Sequence, residues 1–352
     1  MSDEQLPAMI NRRDKTRTFL DHAVARRATK AEASVQSSAP PPEPRSAAGV
    51  SVVIPSHLGR ERLPVALRSL ARQTLDRSLL EVVVALNGPA DGSRAVVDRF
   101  RGDHPGIALT VVELPEPGAS AARNAALGEV TRAHVAFLDD DDWLSPAYLE
   151  ILLRHARPGI VPVGQIVDVT PAGRANPDTA VNQQILPFTS QTVAVDAVPR
   201  ALGLNACKLV PAAAAKATRY DTELRSGVDV VYFATLLAHY AFDLFICPVD
   251  SGPAFANAVY YRLLRPDSMS RREQTFEFSV VGRLEVVARL DRLLPLCDDH
   301  RGRVLMSSIN AQTGFIKRYL AEHPDDRARV LATAERYALV SLPPARLDRL
   351  TR

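Results

Sequence analysis

Residues 133–142 read Ala-His-Val-Ala-Phe-Leu-Asp-Asp-Asp-Asp, a short apolar segment that is followed at once by four carboxylates. An apolar run of this length with polar residues after it is typical of a strand that is buried on both faces of a parallel sheet. Three earlier segments share this character, namely Val50–Ile54, Glu81–Leu86 and Ala108–Leu114. The sequence therefore predicts a sheet that contains these four strands.

Segments with apolar residues at helical spacing separate the predicted strands. They cover residues 60–73, 93–100 and 119–127. Strands that alternate with helices predict an α/β fold, with right-handed crossovers and a mainly parallel sheet flanked by helices. Because ligands bind at the carboxyl ends of the strands in such sheets, the four aspartates follow their strand at the place where we expect chemistry.

Beyond Pro158 the alternation of strands and helices weakens. Val161–Val169 is predicted as a single strand and residues 170–192 as a loop, because this stretch contains four Pro and Gly residues. Val228–His239 has the composition of a buried helix, and from Thr275 onward the pattern is helical throughout. We therefore expect a C-terminal helical region of about 75 residues.

The chain divides into three predicted regions. Residues 1–48 form a polar N-terminal region with a Pro-rich linker, which is either a solvated, partly disordered tail or an oligomerisation or docking arm. Residues 49–272 are the predicted catalytic domain and residues 273–352 the helical region. The C-terminal helices are candidates for a homo-oligomer interface, an acceptor-binding module or a contact with a membrane surface.

Composition excludes several classes of protein. Of the 352 residues, 46% are apolar and 24% charged, which excludes collagen, a wholly disordered chain and a small disulfide-stabilised protein. The formal net charge of +3 gives no argument for a nucleic-acid partner.

Cysteine usage and hydropathy indicate the compartment. The three cysteines lie far apart and lack a CxxC spacing, so the sequence predicts neither a disulfide framework nor a zinc site, and a reducing cytoplasm fits best. We find no signal peptide, and the most apolar stretch, Val230–Val249, is interrupted by polar residues. The expected location is cytoplasmic, and a peripheral contact with the inner face of the membrane stays open.

The run Asp139–Asp142 indicates a metal and phosphate site. Four carboxylates at the end of a buried strand repel one another unless a cation offsets their charge. Hard oxygen ligands select Mg²⁺ or Mn²⁺. We expect an extended backbone here, with Asp139 and Asp141 serving different parts of one ligand.

Five segments, in this order and spacing, resemble family 2 glycosyltransferases with the nucleotide-sugar-binding GT-A fold. The acidic run with its flanks is similar to the FLDxDDW metal motif of that family, and the resemblance extends over roughly residues 50–272. The five segments are Val50–Arg60, Glu81–Ser93, Pro117–Leu127, Phe137–Pro146 and Arg225–Phe233.

The resemblance implies roles for particular residues. Asp141, together with Asp139, would hold Mn²⁺ or Mg²⁺, and Asp229 would be the catalytic base. The residues that would contact the substrate or nucleotide are Pro55, Ser56, Arg60, Asn87, Arg123, Asp139, Asp140, Arg262 and Arg265.

The sequence departs from the family pattern at two positions. Leu86 stands where the family has an Asp that contacts the nucleotide base, and leucine cannot accept a hydrogen bond from uracil. Either Asn87 or backbone replaces that contact, or the base differs, so a UDP-sugar is the default donor. Val228 replaces an acid that usually precedes the catalytic Asp, which leaves Asp229 without that neighbour.

The resemblance implies an inverting, metal-dependent glycosyltransferase. It would move a sugar from a nucleotide sugar to a hydroxyl of a glycan, a cell-surface polymer or a small metabolite. Two other classes remain as alternatives: a non-catalytic nucleotide-sugar-binding protein, which Leu86 and Val228 favour, and a nucleotidyltransferase. The latter normally opens with a Gly-rich nucleotide loop, which residues 56–60 do not supply.

Overall fold

The computed structural model describes residues 47–250, 256–265 and 275–352. The predictions for residues 1–46 and for the domain boundary at 272 lie outside these residues. The strands are β1 (Ala47–Ser56), β2 (Leu80–Asn87), β3 (Ala108–Leu114), β4 (Arg132–Phe137), β5 (Trp143–Leu144), β6 (Ile160–Val163), β7 (Gln165–Val169), β8 (Ala175–Asn176), β9 (Thr192–Val193), β10 (Val210–Pro211), β11 (Asp243–Ile246) and β12 (Val259–Leu263).

The helices fall into an N-terminal set between the strands and a C-terminal set. They are α1 (Leu63–Ala71), α2 (Ser93–Asp103), α3 (Ala119–Glu129), α4 (Tyr148–His155), α5 (Ala180–Ile185), α6 (Ala212–Ala217), α7 (Val228–His239), α8 (Gly282–Leu293), α9 (Asp299–Glu322), α10 (Arg327–Tyr337) and α11 (Pro344–Thr351).

A five-stranded sheet in the order β10-β4-β1-β2-β3 forms the framework. The four predicted strands are parallel to one another, and β10 joins the edge antiparallel to β4. Val52 lies opposite Val82 on one side and Ala136 on the other, and all three side chains are buried. The prediction of a mainly parallel sheet flanked by helices is confirmed, because these apolar strands are covered on both faces.

Two smaller sheets complete this part of the chain. One has the order β6-β11-β9 and the other β5-β12-β7-β8. Strand β12 is central to the second, since it pairs parallel with β7 and antiparallel with β5. Strand β5 directly follows the four aspartates, so β12 brings residues from near position 260 to the acidic run.

The prediction of one strand over Val161–Val169 is wrong. The segment forms β6 and β7, which belong to different sheets and diverge at Gly164. There the N–H of Gly164 donates to the Cys207 carbonyl (2.7 Å), and the N–H of Gln165 donates to the Ala258 carbonyl (2.8 Å). The change of partner ends one ladder and begins the next. Residues 170–192, predicted as a loop, contain the short helix α5.

The chain forms two compact units. Within the described residues, the first comprises 47–194, Asn205–Ala217 and Ala241–Arg265, and the second Val195–Leu204, Thr218–Tyr240 and 275–352. The region predicted as one catalytic domain, 49–272, thus contributes residues to both units, because α7 belongs to the second.

The second unit is helical. Its core includes Leu237 of α7, Leu284 of α8 and Leu305 of α9, all of which are buried. Helix α8 follows a π-helical turn over Glu277–Val281. Across the described ranges, we find no helix with the length and apolar character that a membrane crossing requires.

Gly164 offers a test of the strand divergence. A Cβ atom at this position would lie 2.5 Å from the Ala258 carbonyl oxygen, which is backbone and cannot rotate away. We expect Gly164→Ala to lower the free energy of unfolding by about 1–3 kcal/mol, measured by urea denaturation. The matched control is Gly128→Ala in α3, where a Cβ meets nothing within 4 Å. That change should raise stability by up to about 1 kcal/mol, and equal effects of the two substitutions would contradict the assignment.

Candidate functional site

The carboxyl ends of three parallel strands bring polar residues to one edge of the main sheet. Strand β1 ends at Ser56, β2 at Asn87, and β4 is followed by the buried Leu138 and the four aspartates. Parallel strands present their carboxyl ends on the same side, and this edge is where α/β sheets bind ligands. The expected location of the site therefore agrees with the topology.

Asp140 is buried and anchors the loop after β1. Its carboxylate accepts hydrogen bonds from the Ser56 hydroxyl (2.7 Å) and from the Arg62 guanidinium (3.1 Å at each oxygen). Gly59 makes this approach possible, because a Cβ there would lie 1.9 Å from the Ser56 hydroxyl oxygen and 2.6 Å from Asp140. Two residues predicted to contact the substrate, Ser56 and Asp140, are thus bonded to each other.

Asp142 is buried and joins the acidic run to β12. It accepts hydrogen bonds from the Tyr260 hydroxyl (2.7 Å) and the Leu263 backbone N–H (2.8 Å). The Tyr260 oxygen in turn accepts from the Asp139 N–H (3.1 Å). Burial, together with the neighbouring carboxylates of Asp139 and Asp141, raises the pKa of Asp142 well above its usual value.

Asp139 and Asp141 are the two members of the run that are only partly buried, and each contacts an arginine. The Arg123 guanidinium donates to Asp139 (2.8 Å), whose side chain is 46% exposed. The Arg265 guanidinium donates to Asp141 (2.6 Å), whose side chain is 14% exposed. Burial and the nearby carboxylates of Asp139 and Asp140 raise the pKa of Asp141 even with Arg265 beside it. An excess of negative charge is therefore present at Asp141.

The donor set suits a hard divalent cation in its chemistry. Carboxylate oxygens are the ligands that Mg²⁺ and Mn²⁺ prefer, and the neighbouring carboxylates of the run favour added positive charge near Asp141. Among the described residues, however, no group of three or more His, Cys, Asp or Glu side chains is arranged to hold an ion. An ion at Asp139 and Asp141 would thus need further oxygen ligands from a bound molecule.

Arg262 pairs with a carboxylate outside the acidic run. Its guanidinium makes two hydrogen bonds to Asp168 in β7 (2.8 and 3.1 Å). The two residues lie opposite each other in the β12–β7 pairing. Arg262 and Arg265 are both predicted to contact the substrate or nucleotide. Of the two, Arg265 contacts the acidic run and Arg262 contacts Asp168.

A cleft of about 290 Å³ lies at the ends of β1, β2 and β3. Of the residues predicted to bind the nucleotide, Ser56 and Asn87 line it, whereas Pro55 is buried within β1 and Arg60 is exposed beside Asp91. The lining residues are Ser56, Leu58, Leu86, Asn87, Gly88, Pro89, Ala90, Asp91, Gly92, Ser93, Arg94, Glu113, Leu114 and Pro115.

Asp229 belongs to the second unit. It is the second residue of α7, half-buried, and its carboxylate accepts a hydrogen bond from the Val230 N–H (3.0 Å). The helix begins after Gly227, which has φ of +66° and whose Cβ would lie 2.7 Å from Val286 of α8. Glycine is therefore required at the turn that sets the start of α7.

The sequence did not indicate several residues that hold the acidic run. Arg62, Tyr260 and Asp168 each bond to a charged residue of the site or its flanks. A weak signal existed for Asp168, since it is a charge within the otherwise apolar end of β7. Arg62 and Tyr260 carry no comparable signal, because their partners lie 78 and 118 positions away in sequence.

Comparison with known proteins agrees with this topology. Residues 51–194 match the sequence profile described as "Glycosyl transferase family 2". This segment carries the sequence pattern of family 2 glycosyltransferases. Among curated relatives, the succinoglycan biosynthesis protein ExoM of Rhizobium meliloti is 38% identical over 99 residues, which is 28% of this chain and 32% of ExoM. The first three curated relatives are matched over 32%, 14% and 30% of their own length, so the chain matches about a third of them or less.

Solved structures show the same fold as this chain. S. aureus TarS 1–349 in complex with UDP-GlcNAc has a TM-score of 0.59 at 19% identity, covering 86% of this chain and 83% of that TarS fragment. The mannosyltransferase PcManGT from Pyrobaculum calidifontis, in complex with GDP-Man and Mn²⁺, has a TM-score of 0.51 at 16% identity, covering 95% and 92%. The fold is GT-A, as the sequence resemblance implied.

The Tyr260–Asp142 hydrogen bond gives a pH-dependent prediction for the stability of the protein. Tyr260→Phe should lower the free energy of unfolding by about 1.5–3 kcal/mol near neutral pH, because a buried carboxylate loses a donor. The bond lowers the pKa of Asp142, so its loss raises that pKa further. A carboxyl with a raised folded pKa costs stability once it ionises. The defect should therefore shrink as pH falls towards the usual value of 3.8.

The measurement is urea denaturation at about pH 8 and about pH 4.5. Tyr261→Phe is the matched control, because its ring stacks on Trp143 (5.4 Å between centroids) and it lies next to Tyr260 in the same strand. Equal losses for the two substitutions, or a Tyr260→Phe defect that does not change with pH, would contradict the role of this bond.

Proposed function

We propose that the protein is a glycosyltransferase that moves a sugar from a nucleotide-diphosphate sugar to an acceptor hydroxyl. The observation that carries the proposal is the pairing of a cleft with Asp139 and Asp141 at the carboxyl edge of the parallel strands in a family 2 domain. Carboxylates beside an organic-ligand cleft suit a phosphorylated ligand bound with a cation.

On the donor side, Asp139 and Asp141 would hold Mn²⁺ or Mg²⁺. Such an ion, when bound, supplies positive charge that stabilises a leaving diphosphate. Arg265 already places a guanidinium against Asp141, so it supplies fixed positive charge in the same neighbourhood. Arg123 orients Asp139 through its hydrogen bond from α3. The protein's own contribution is thus to position the carboxylates and to limit their repulsion.

On the acceptor side, Asp229 keeps the role that the family resemblance implies. A carboxylate takes the proton from the acceptor hydroxyl as that oxygen attacks the anomeric carbon. Attack on the face opposite the leaving group inverts the anomeric centre, so we propose an inverting reaction.

The acceptor and the setting are proposed more broadly. We propose a hydroxyl of a glycan, a cell-surface polymer or a small metabolite, and a cytoplasmic location, as the cysteine usage suggests. The three cysteines are free, and Cys207 and Cys247 are buried. A peripheral membrane contact and a homo-oligomer built through the C-terminal helices stay part of the proposal.

A second candidate is a nucleotide-sugar-binding protein without turnover. It is favoured by Leu86 and Val228, which replace two acids of the family pattern. The two candidates differ in rate and not in binding. If wild type and Asp229→Asn bind a nucleotide sugar but release nucleotide at the same background rate, the binding protein is the better description.

Two substitutions separate binding from transfer. We expect Asp141→Asn to weaken Mn²⁺ and nucleotide binding roughly tenfold or more, because a charged oxygen ligand is lost. Asp229→Asn should keep nucleotide binding within about twofold and lower transfer by roughly 10²–10⁴-fold, because the proton acceptor is lost. Binding is read from thermal shifts with nucleoside diphosphates and Mn²⁺, and transfer from nucleotide release.

Asp325→Asn is the matched control, since Asp325 is an exposed carboxylate in the turn before α10. It should leave both measurements unchanged. The proposal fails if the purified protein turns over no nucleotide sugar with Mn²⁺ or Mg²⁺ and Asp141→Asn binds nucleotide as the wild type does.

A further inference from the structure

The cleft lacks the acceptor that the family pattern places at position 86. The Leu86 side chain has no polar atom, and the side chain of its neighbour Asn87 is hydrogen-bonded to backbone groups. The Asn87 amide nitrogen donates to the Ser56 carbonyl (2.8 Å), and the amide oxygen accepts from the Gly118 N–H (2.9 Å). Asn87 is also buried. The side-chain amide therefore ties β1 to the start of α3, and an acceptor for a bound base must come from elsewhere in the cleft.

Glu113 lies beside Leu86, the position at which the family pattern has an Asp. It is opposite Leu86 in the parallel β2–β3 pairing and lines the same cleft. Its carboxylate is 57% exposed and accepts a hydrogen bond from the Arg94 guanidinium (2.6 Å), which also lines the cleft. Arg94 is itself held by a second bond to Asp98, one turn further along α2 (2.9 Å). The cleft thus carries an acceptor and a cationic donor side by side.

Apolar residues form the rest of the wall. Leu58, Pro89 and Pro115 line the cleft with Leu86. Leu58 is 48% exposed and has a φ of +50°, a left-handed conformation that leucine rarely adopts. A strained, exposed leucine at a cleft fits a surface that is covered when a flat ring binds. The wall therefore suits the face of a heterocycle, and the Glu113–Arg94 pair suits its polar edge.

We propose that Glu113 and Arg94 read the edge of a guanine base, and that the donor is a guanosine-diphosphate sugar. This inference rests on the proposed function and concerns its choice of donor. Guanine presents two adjacent donors, N1–H and N2–H, which match the two oxygens of a carboxylate. It also presents the O6 acceptor next to them, which matches a guanidinium. Glutamate can only accept and arginine can only donate, so the pair fits this edge without an unmatched group.

Uracil fits the pair less well. Its edge has a single donor, N3–H, between two carbonyl oxygens, so a bidentate carboxylate would face a lone pair with its second oxygen. Adenine and cytosine place a ring nitrogen acceptor beside their amino group, which also faces the carboxylate unfavourably. A site with a carboxylate and a guanidinium side by side therefore discriminates in favour of guanine, contrary to the UDP-sugar default.

The test measures the affinities of GDP, UDP and ADP in the presence of Mn²⁺ by titration calorimetry. Wild type should bind GDP roughly tenfold or more tightly than UDP or ADP, as one bidentate contact supplies that much discrimination. Glu113→Gln should weaken GDP binding roughly tenfold and change UDP binding by less than about threefold. Glu116→Gln, an exposed glutamate outside the cleft lining, is the matched control and should bind all three as the wild type does.

A double variant tests whether the base preference can be shifted from guanine to uracil. Leu86→Asp with Glu113→Gln returns the acceptor to the position of the family pattern and should shift the preference towards UDP. Tighter binding of UDP than of GDP by wild type, or equal effects of Glu113→Gln and Glu116→Gln, would overturn the base assignment and leave the proposed function standing. Binding of no nucleoside diphosphate at all would instead contradict the proposed function, and the base assignment with it.

Discussion

The four carboxylates at residues 139–142 impose the constraint on which the rest of this site depends. They follow a strand whose last residues are buried, so their charges cannot all be left to solvent. Each carboxylate has a donor: Arg123 for Asp139, Arg62 and Ser56 for Asp140, Arg265 for Asp141, and Tyr260 with the Leu263 N–H for Asp142. The cost of burying these groups is thereby reduced but not removed, as the raised pKa values of Asp141 and Asp142 show.

The four acids fall into two pairs with different surroundings. Asp140 and Asp142 are buried and tie the run to the loop after β1 and to β12. Asp139 and Asp141 keep more exposure and contact arginines. The run is a turn and not the extended segment that the sequence predicts, because the Asp142 N–H donates to the Asp139 carbonyl (3.1 Å). One pair therefore fixes the position of the run, and the other is directed to where a ligand can reach it.

Sequence periodicity predicted the framework well and the partners of the acids poorly. The strand expected over Ala108–Leu114 and the helix expected over Val228–His239 have those bounds in the structure, because long periodic segments fix their own conformation. The partners of the acids come from residues 78, 118 and 124 positions away, and no local pattern encodes such pairings. The sequence did not predict the divergence of β6 and β7 at Gly164 for a similar reason. It is set by hydrogen bonds to Cys207 and Ala258, which are distant in sequence.

The end of β2 shows how a departure from a family pattern is best interpreted. The sequence suggests that the Asn87 amide replaces the carboxylate that the family pattern has at position 86. In the structure, however, both polar ends of this amide are bonded, to Ser56 and to Gly118. An asparagine has a donor and an acceptor on one short side chain, which is what bridging a carbonyl and an N–H requires. An aspartate there would face the Ser56 carbonyl with two acceptors. The residue at 87 is therefore constrained by the backbone that it joins. Recognition of a base must fall to other side chains that line the cleft, such as Glu113 of β3 and Arg94 of α2.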